Sequence, residues 1–216
     1  MKHFCLYFIK ILLFFVIFIT CSTEPQIRPV EETRIMMDTF ITITIYNEYF
    51  TEDQAHKIIA EAFGAMTRID TLANNYNDSS KVSLLNKFAK EDFVQVSPDL
   101  MYLIKKSVEI GDISEGAFDI TISPLVELWP FNEDDPQKPT KKEIQNALQF
   151  VNYKDIHIED NQVKFNNPFI QVDLGGIAKG FAVDRAMEVL VNRGVRDALI
   201  NAGGDIKAIC SKLTEG

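Results

Sequence analysis

The sequence predicts an α+β protein: a mixed, antiparallel-rich sheet with helices packed on it. Three observations carry this. Met37 to Tyr46 alternates apolar residues with Thr, the period of a half-buried strand. Asp53 to Asp70 sets Ala55, Ile58, Ile59, Ala62, Phe63 and Met66 at helical spacing. Tyr153 to Phe165 reads as a hairpin, with strands Ile156 to Glu159 and Gln162 to Phe165 turning at Asp160-Asn161.

Taken in order, residues 1–21 read as an export signal. Lys2, His3 and Lys10 give a basic start, and Ile11 to Ile19 is an unbroken apolar run, short for a membrane span. Thr20-Cys21-Ser22 resembles a bacterial lipoprotein cleavage site, with Cys21 as the lipidated first residue. Phe18 and Thr20 stand where Leu and Gly or Ala are usual. An uncleaved signal anchor is the alternative. Either reading puts the body outside the cytoplasm, tethered to the periplasmic side of a membrane. Residues 22–32, polar with two Pro, read as a spacer, and residues 33–216 as one domain.

Thr51 or Asp53 caps the first helix. Residues 72–86 read as a polar loop carrying Tyr76 and ending in the turn Ser83 to Asn86; a Tyr in such a loop is more often a surface residue than a ligand contact. Phe93 to Val96 is a short strand. Ser97 then caps a helix that opens on Pro98 and carries Leu100, Leu103, Ile104, Val108 and Ile110. Residues 115–129 mix Gly, Phe, Asp and Pro in a strand-like segment. They fit either a buried turn with Phe118, Leu125 and Trp129 in the core, or a ligand wall with Asp119 facing a site. An acidic, Pro-containing loop follows over 131–139. Thr140 and Glu143 form a capping box for a helix over Lys141 to Phe150.

Phe169 to Val172 is long enough for a strand. Asp173-Leu174-Gly175-Gly176-Ile177-Ala178-Lys179-Gly180 leads from it into a helical pattern that stops at Gly194. Asp173 is therefore expected at a strand end, the Gly pair in a tight turn, and Lys179 in the first helical turn. Close backbone approach, free N–H groups and a cation suit an anionic ligand. The stretch is neither a Walker loop nor G-x-G-x-x-G, and a plain strand–turn–helix connection fits it equally well. Ala198 to Asn201, a buried strand, runs into Ala202-Gly203-Gly204-Asp205, a second Gly pair that can approach the same ligand.

The net charge of -9 and the lack of any Lys/Arg-rich run argue against nucleic-acid binding. Cys5, Cys21 and Cys210 build no disulfide framework or zinc cluster, and His3, His56 and His157 are scattered.

Four motifs in order resemble the ApbE family of FAD:protein FMN transferases. They are Met37-Asp38-Thr39, Gly116-Ala117-Phe118-Asp119-Ile120-Thr121 with Pro124-Leu125 and Trp129, Val172 to Gly180, and Asn201 to Asp205. The resemblance implies a T-fold-like arrangement of two lobes. It implies magnesium-dependent transfer of FMN from FAD to a Thr or Ser hydroxyl of a target flavoprotein, with release of AMP. By the same resemblance Met37, Tyr76, Ala117, Phe118, Asp119, Asp173 and Lys179 contact FAD, and the backbone carbonyl of Gly176 is a magnesium ligand. Asp38 stands where the family usually has Gly. The family's later His-containing segment and Asp-x-x-x-Thr motif, which supply the other magnesium ligands, have no counterpart here. The catalytic base is thus expected beyond Gly216, and FAD hydrolysis to FMN and AMP, or flavin binding without turnover, stand as alternatives.

Overall fold

The structure is a computed structural model and describes residues 28–47, 49–129 and 137–211. The export signal, Cys21, the first part of the spacer and most of the acidic loop lie outside the described residues.

β1 (Arg28–Met36) and β2 (Thr39–Asn47) form an antiparallel hairpin, in register from Arg28 opposite Asn47 to Met36 opposite Thr39. Met37 and Asp38, expected at the start of a strand, are instead its two turn residues, with φ of 49° and 58°. Left-handed values at both central positions belong to the turn whose twist matches the flanking strands. Asp tolerates that conformation better than most residues other than Gly, so the site keeps its turn without glycine. The polar spacer, expected to reach residue 32, gives its last five residues to β1. Pro29 argues against a central strand, but β1 is an edge strand, which can spare an N–H.

β6 (Ala198–Ala202) and β7 (Asp205–Ile209) complete an antiparallel sheet of order β1-β2-β6-β7. One face is apolar: Ile41, Ile43 and Ile45 of β2 and Ala198, Ile200 and Ala202 of β6 are buried. α1 (Glu52–Ala73) and α6 (Gly175–Asn192) pack against each other over that face. Thr51 opens α1 with a capping box to Gln54, and Arg193 forks onto Glu61 at 2.6 and 3.0 Å to join the two helices.

The expected loop over 72–86 contains a helix, α2 (Lys81–Phe88), capped by Ser80. Only Val82 and Leu85 are buried within it, too few to give a helical period. α3 (Pro98–Ile113) has the expected Ser97 cap and Pro98 start. It ends with Glu115 in the left-handed region and Gly116 N–H on the Gly111 carbonyl at 2.8 Å, a Schellman closure. The segment after it is turn rather than strand, with one short helix, α4 (Ser123–Val126). α5 (Lys141–Leu148) carries the Thr140–Glu143 capping box.

A second sheet, β3 (Val94–Gln95), β4 (Ile156–Glu159) and β5 (Gln162–Phe165), has the order β3-β5-β4, with Asp160 at φ 49° in its hairpin turn. Both sheets feed one contiguous apolar core, which includes Ile43 and Phe63 as well as Val163 and Phe165. Phe169 to Val172 is not a strand: Gln171 makes a single parallel bridge to Ile122. No helix among the described residues is long and apolar enough to cross a membrane.

Candidate functional site

Gly175 and Gly176 are the first two residues of α6 rather than a tight turn, which moves Lys179 into the second helical turn. Leu174 sits at the N-cap and supplies no side-chain bond. The cap contact comes from one residue earlier, where Asp173 Oδ1 accepts the Gly175 N–H at 2.6 Å. A carboxylate there is favourable beside the positive end of the helix dipole. The missing side chain of Gly176 has a separate use: a Cβ on it would stand 3.2 Å from Phe118 Cε2, so the ring lies against helix backbone.

The approach to α6 is clamped from two sides. The Asp173 N–H donates to the Ile120 carbonyl at 2.7 Å, joining the turn to the Ala117-Phe118-Asp119 segment. The Asn86 carboxamide pairs with Val172 in both directions, accepting its N–H at 2.8 Å and donating to its carbonyl at 2.9 Å. Asn75 donates to the same carbonyl at 3.1 Å.

A cavity of about 310 Å³ opens beside this turn, lined by Met37, Asp38, Asp70, Asn75, Tyr76, Asp173, Gly175 and Lys179 among others. Four of the residues expected at an FAD site, Met37, Tyr76, Asp173 and Lys179, thus meet in one place. On the other side of the helix start lies a cavity of about 360 Å³, lined by Tyr102, Lys106, Gly176, Phe181 and Asp205. Gly175 and Lys179 line both. Asp205 therefore does reach the helix start from the neighbouring hairpin, as its Gly-Gly-Asp motif suggests.

Tyr76 is 80% exposed, its backbone N–H held by Asn74 Oδ1 at 2.9 Å. Asp119 lines neither of these cavities but a third, of about 440 Å³, beside Gly116 and Tyr153. Its Oδ1 accepts the Thr121 N–H and hydroxyl at 2.7 and 2.6 Å, and its Oδ2 accepts the Tyr153 N–H at 2.9 Å. The carboxylate is engaged inside the fold and fixes the turn on which Phe118 stands, while Ala117 is exposed beside it. The neighbouring Tyr153 hydroxyl donates to Asp112 at 2.9 Å, and that bond, with burial, raises its pKa.

The cavity also holds a group that the motifs do not include. Asp70 has its carboxyl pKa raised, by burial first and by the nearby Asp38 second. It sits in the last turns of α1, where the helix dipole disfavours an acid, and that position is visible in sequence. Asn75 and Asn86 carry no such signal.

The described residues do not by themselves fit a magnesium site. Gly176 lies within α6, where its carbonyl points along the axis towards Gly180. One carbonyl is one of the six ligands a magnesium ion asks for. Among the described residues no group of three His, Cys, Asp or Glu is placed to hold a metal.

Residues 37–216 match the model of the ApbE family. The chain belongs to the ApbE family. Among its relatives is the FAD:protein FMN transferase of Vibrio cholerae, 29% identical over 189 residues, which are 83% of this chain and 55% of the relative. That of Treponema pallidum is 24% identical over 197 residues, 88% of this chain and 54% of the relative. The solved flavin transferase ApbE of Vibrio cholerae superposes with a TM-score of 0.78 at 26% identity, covering 84% of this chain and 59% of that one. The ApbE protein of Thermotoga maritima gives 0.76 at 29% identity, with 84% and 59% covered. The chain thus spans about half the length of the curated relatives it matches, and the α+β architecture is that of the ApbE structures.

Proposed function

We propose that this chain receives FAD across the start of α6 and takes part in moving its FMN half onto a Thr or Ser hydroxyl of a target flavoprotein, releasing AMP. The observation that carries the reading is the pair of cavities meeting at Gly175 and Lys179. A dinucleotide has two bulky halves and one anionic bridge. The helix start and the Lys179 ammonium match the bridge, and the two cavities match the halves. Tyr76, on the wall of the first cavity, offers an aromatic face to a ring system.

Displacement at phosphorus needs charge neutralised and the reacting groups held in line. Lys179 contributes to the first and the clamped Asp173 turn to the second. Magnesium is the ion that the family resemblance implies. The described residues complete no ligand set for it, so its requirement is a quantity to measure. The test is incubation of the purified chain with FAD and a flavin-acceptor protein, with and without magnesium, following AMP and the acceptor's mass. AMP with a mass gain of FMN supports transfer; AMP without it supports hydrolysis; FAD uptake without AMP supports binding alone. No FAD uptake refutes the reading.

We further propose export and tethering at the outer face of the cytoplasmic membrane through lipidated Cys21, on the strength of the apolar run that precedes it. Cys21→Ser expressed in bacteria should release the protein from the membrane fraction; continued lipid labelling refutes the site.

A further inference from the structure

The segment that delivers Asp173 to the site has almost no regular structure to hold it. Between β5 and α6, the one bridge recorded is Gln171 to Ile122. Buried backbone groups need partners, and Val172 is fully buried. Asn86 provides them. Its Oδ1 takes the Val172 N–H and its Nδ2 gives to the Val172 carbonyl, so one side chain stands in for a neighbouring strand. Asn86 comes from α2, which contributes no other expected site residue. Asn75, the residue before Tyr76, donates to the same carbonyl. That contact leaves Asn75 Oδ1 buried with no hydrogen-bond partner.

We propose that Asn86, with Asn75, is a positioning residue of the dinucleotide site. Through the Val172 carbonyl the two carboxamides set the spacing between the Tyr76 loop and the Asp173 turn, the two walls of the first cavity. The inference rests on the FAD reading of that cavity. Neither residue is asked to touch the reacting atoms. Their effect is on how well FAD is held, since a misplaced Asp173 carries the start of α6 with it.

The test is an FAD titration by flavin fluorescence on the purified chain, with thermal midpoints in parallel. Asn86→Leu keeps the branched shape and removes both bonds. It should weaken FAD binding about tenfold or more at temperatures where the variant is fully folded. Asn75→Ser, which removes one bond to the carbonyl, should weaken it about threefold. Asn86→Asp keeps the acceptor and loses the donor while its carboxyl is ionised. Its FAD affinity should recover towards wild type as pH falls through the carboxyl range and an O–H becomes available to the Val172 carbonyl. A merely structural residue lowers the thermal midpoint and leaves the affinity of folded molecules unmoved. Wild type that binds FAD alongside an equally tight Asn86→Leu, or an Asn86→Asp variant without the pH recovery, overturns the positioning role alone. Wild type that takes up no FAD overturns the site reading and this inference together. Should Asn86→Leu fail to fold, the pH recovery of Asn86→Asp decides.

Discussion

Gly203, in the turn between β6 and β7, presses against Thr39 at the start of β2. A Cβ there would overlap the threonine hydroxyl and stand 3.0 Å from its Cβ, and the φ of +62° already disfavours a side chain. The two hairpin turns of the large sheet are thereby locked together beside the start of α6. Gly203→Ala combines backbone strain with overpacking and should cost about 2–4 kcal/mol. Urea unfolding checks this: the midpoint falls at constant slope, and Thr39→Ala in the same chain restores part of the loss.

Lys179 lines both cavities and supplies the full positive charge at their junction. Lys179→Met keeps the aliphatic stem and should weaken FAD binding by about 10–100-fold, the scale of one hydrogen bond to a charged group. Wild-type affinity should fall as salt is added, and the variant's should fall less. Equal salt dependence in the two would remove Lys179 from the site.

Gly180 is a helical glycine that lines the second cavity, and a Cβ added to it would meet nothing within 4 Å. Gly180→Ala should raise stability by about 0.5–1 kcal/mol through helix propensity alone. The same methyl intrudes where half of the dinucleotide is proposed to lie, so FAD affinity should drop. Denaturation and fluorescence titration on one preparation read both effects; a stabler variant with unaltered affinity places the ligand elsewhere.

Asp70 has a raised carboxyl pKa, caused by burial and then by Asp38. The folded state therefore holds its proton more tightly than the unfolded state does. Stability from this group is present below the ordinary carboxyl range and is lost as pH rises to the raised folded value. Asp70→Asn should thus be more stable than wild type at neutral pH, with the advantage shrinking to nothing in acid. Thermal midpoints across that range check the sign, and an advantage that grows in acid refutes it.

What the residues disclose without the structure follows the range of the interactions. The Ser97-Pro98 start and the Thr140–Glu143 capping box lie within four residues, and both stand as expected. β1 escapes a reading of the sequence because Pro29 and two glutamates look like spacer until the strand's place at the sheet edge is known. α2 escapes it because it buries two residues. The Gly-rich start of α6 is legible because its parts are contiguous. The bonds that hold it in place join Val172 to Asn75 and Asn86, 97 and 86 residues away, and no local pattern encodes them.

The pairing of β2 with β6 sets a timetable for biosynthesis. Ile41, Ile43 and Ile45 emerge early and α1 follows directly, yet the strand that pairs with β2 and the helix that packs on α1 end at Ala202 and Asn192. Until then β2 lacks its inner neighbour and α1 its partner helix, and partial products are the species most prone to aggregate. A chaperone holding those surfaces until release meets the need that this topology creates.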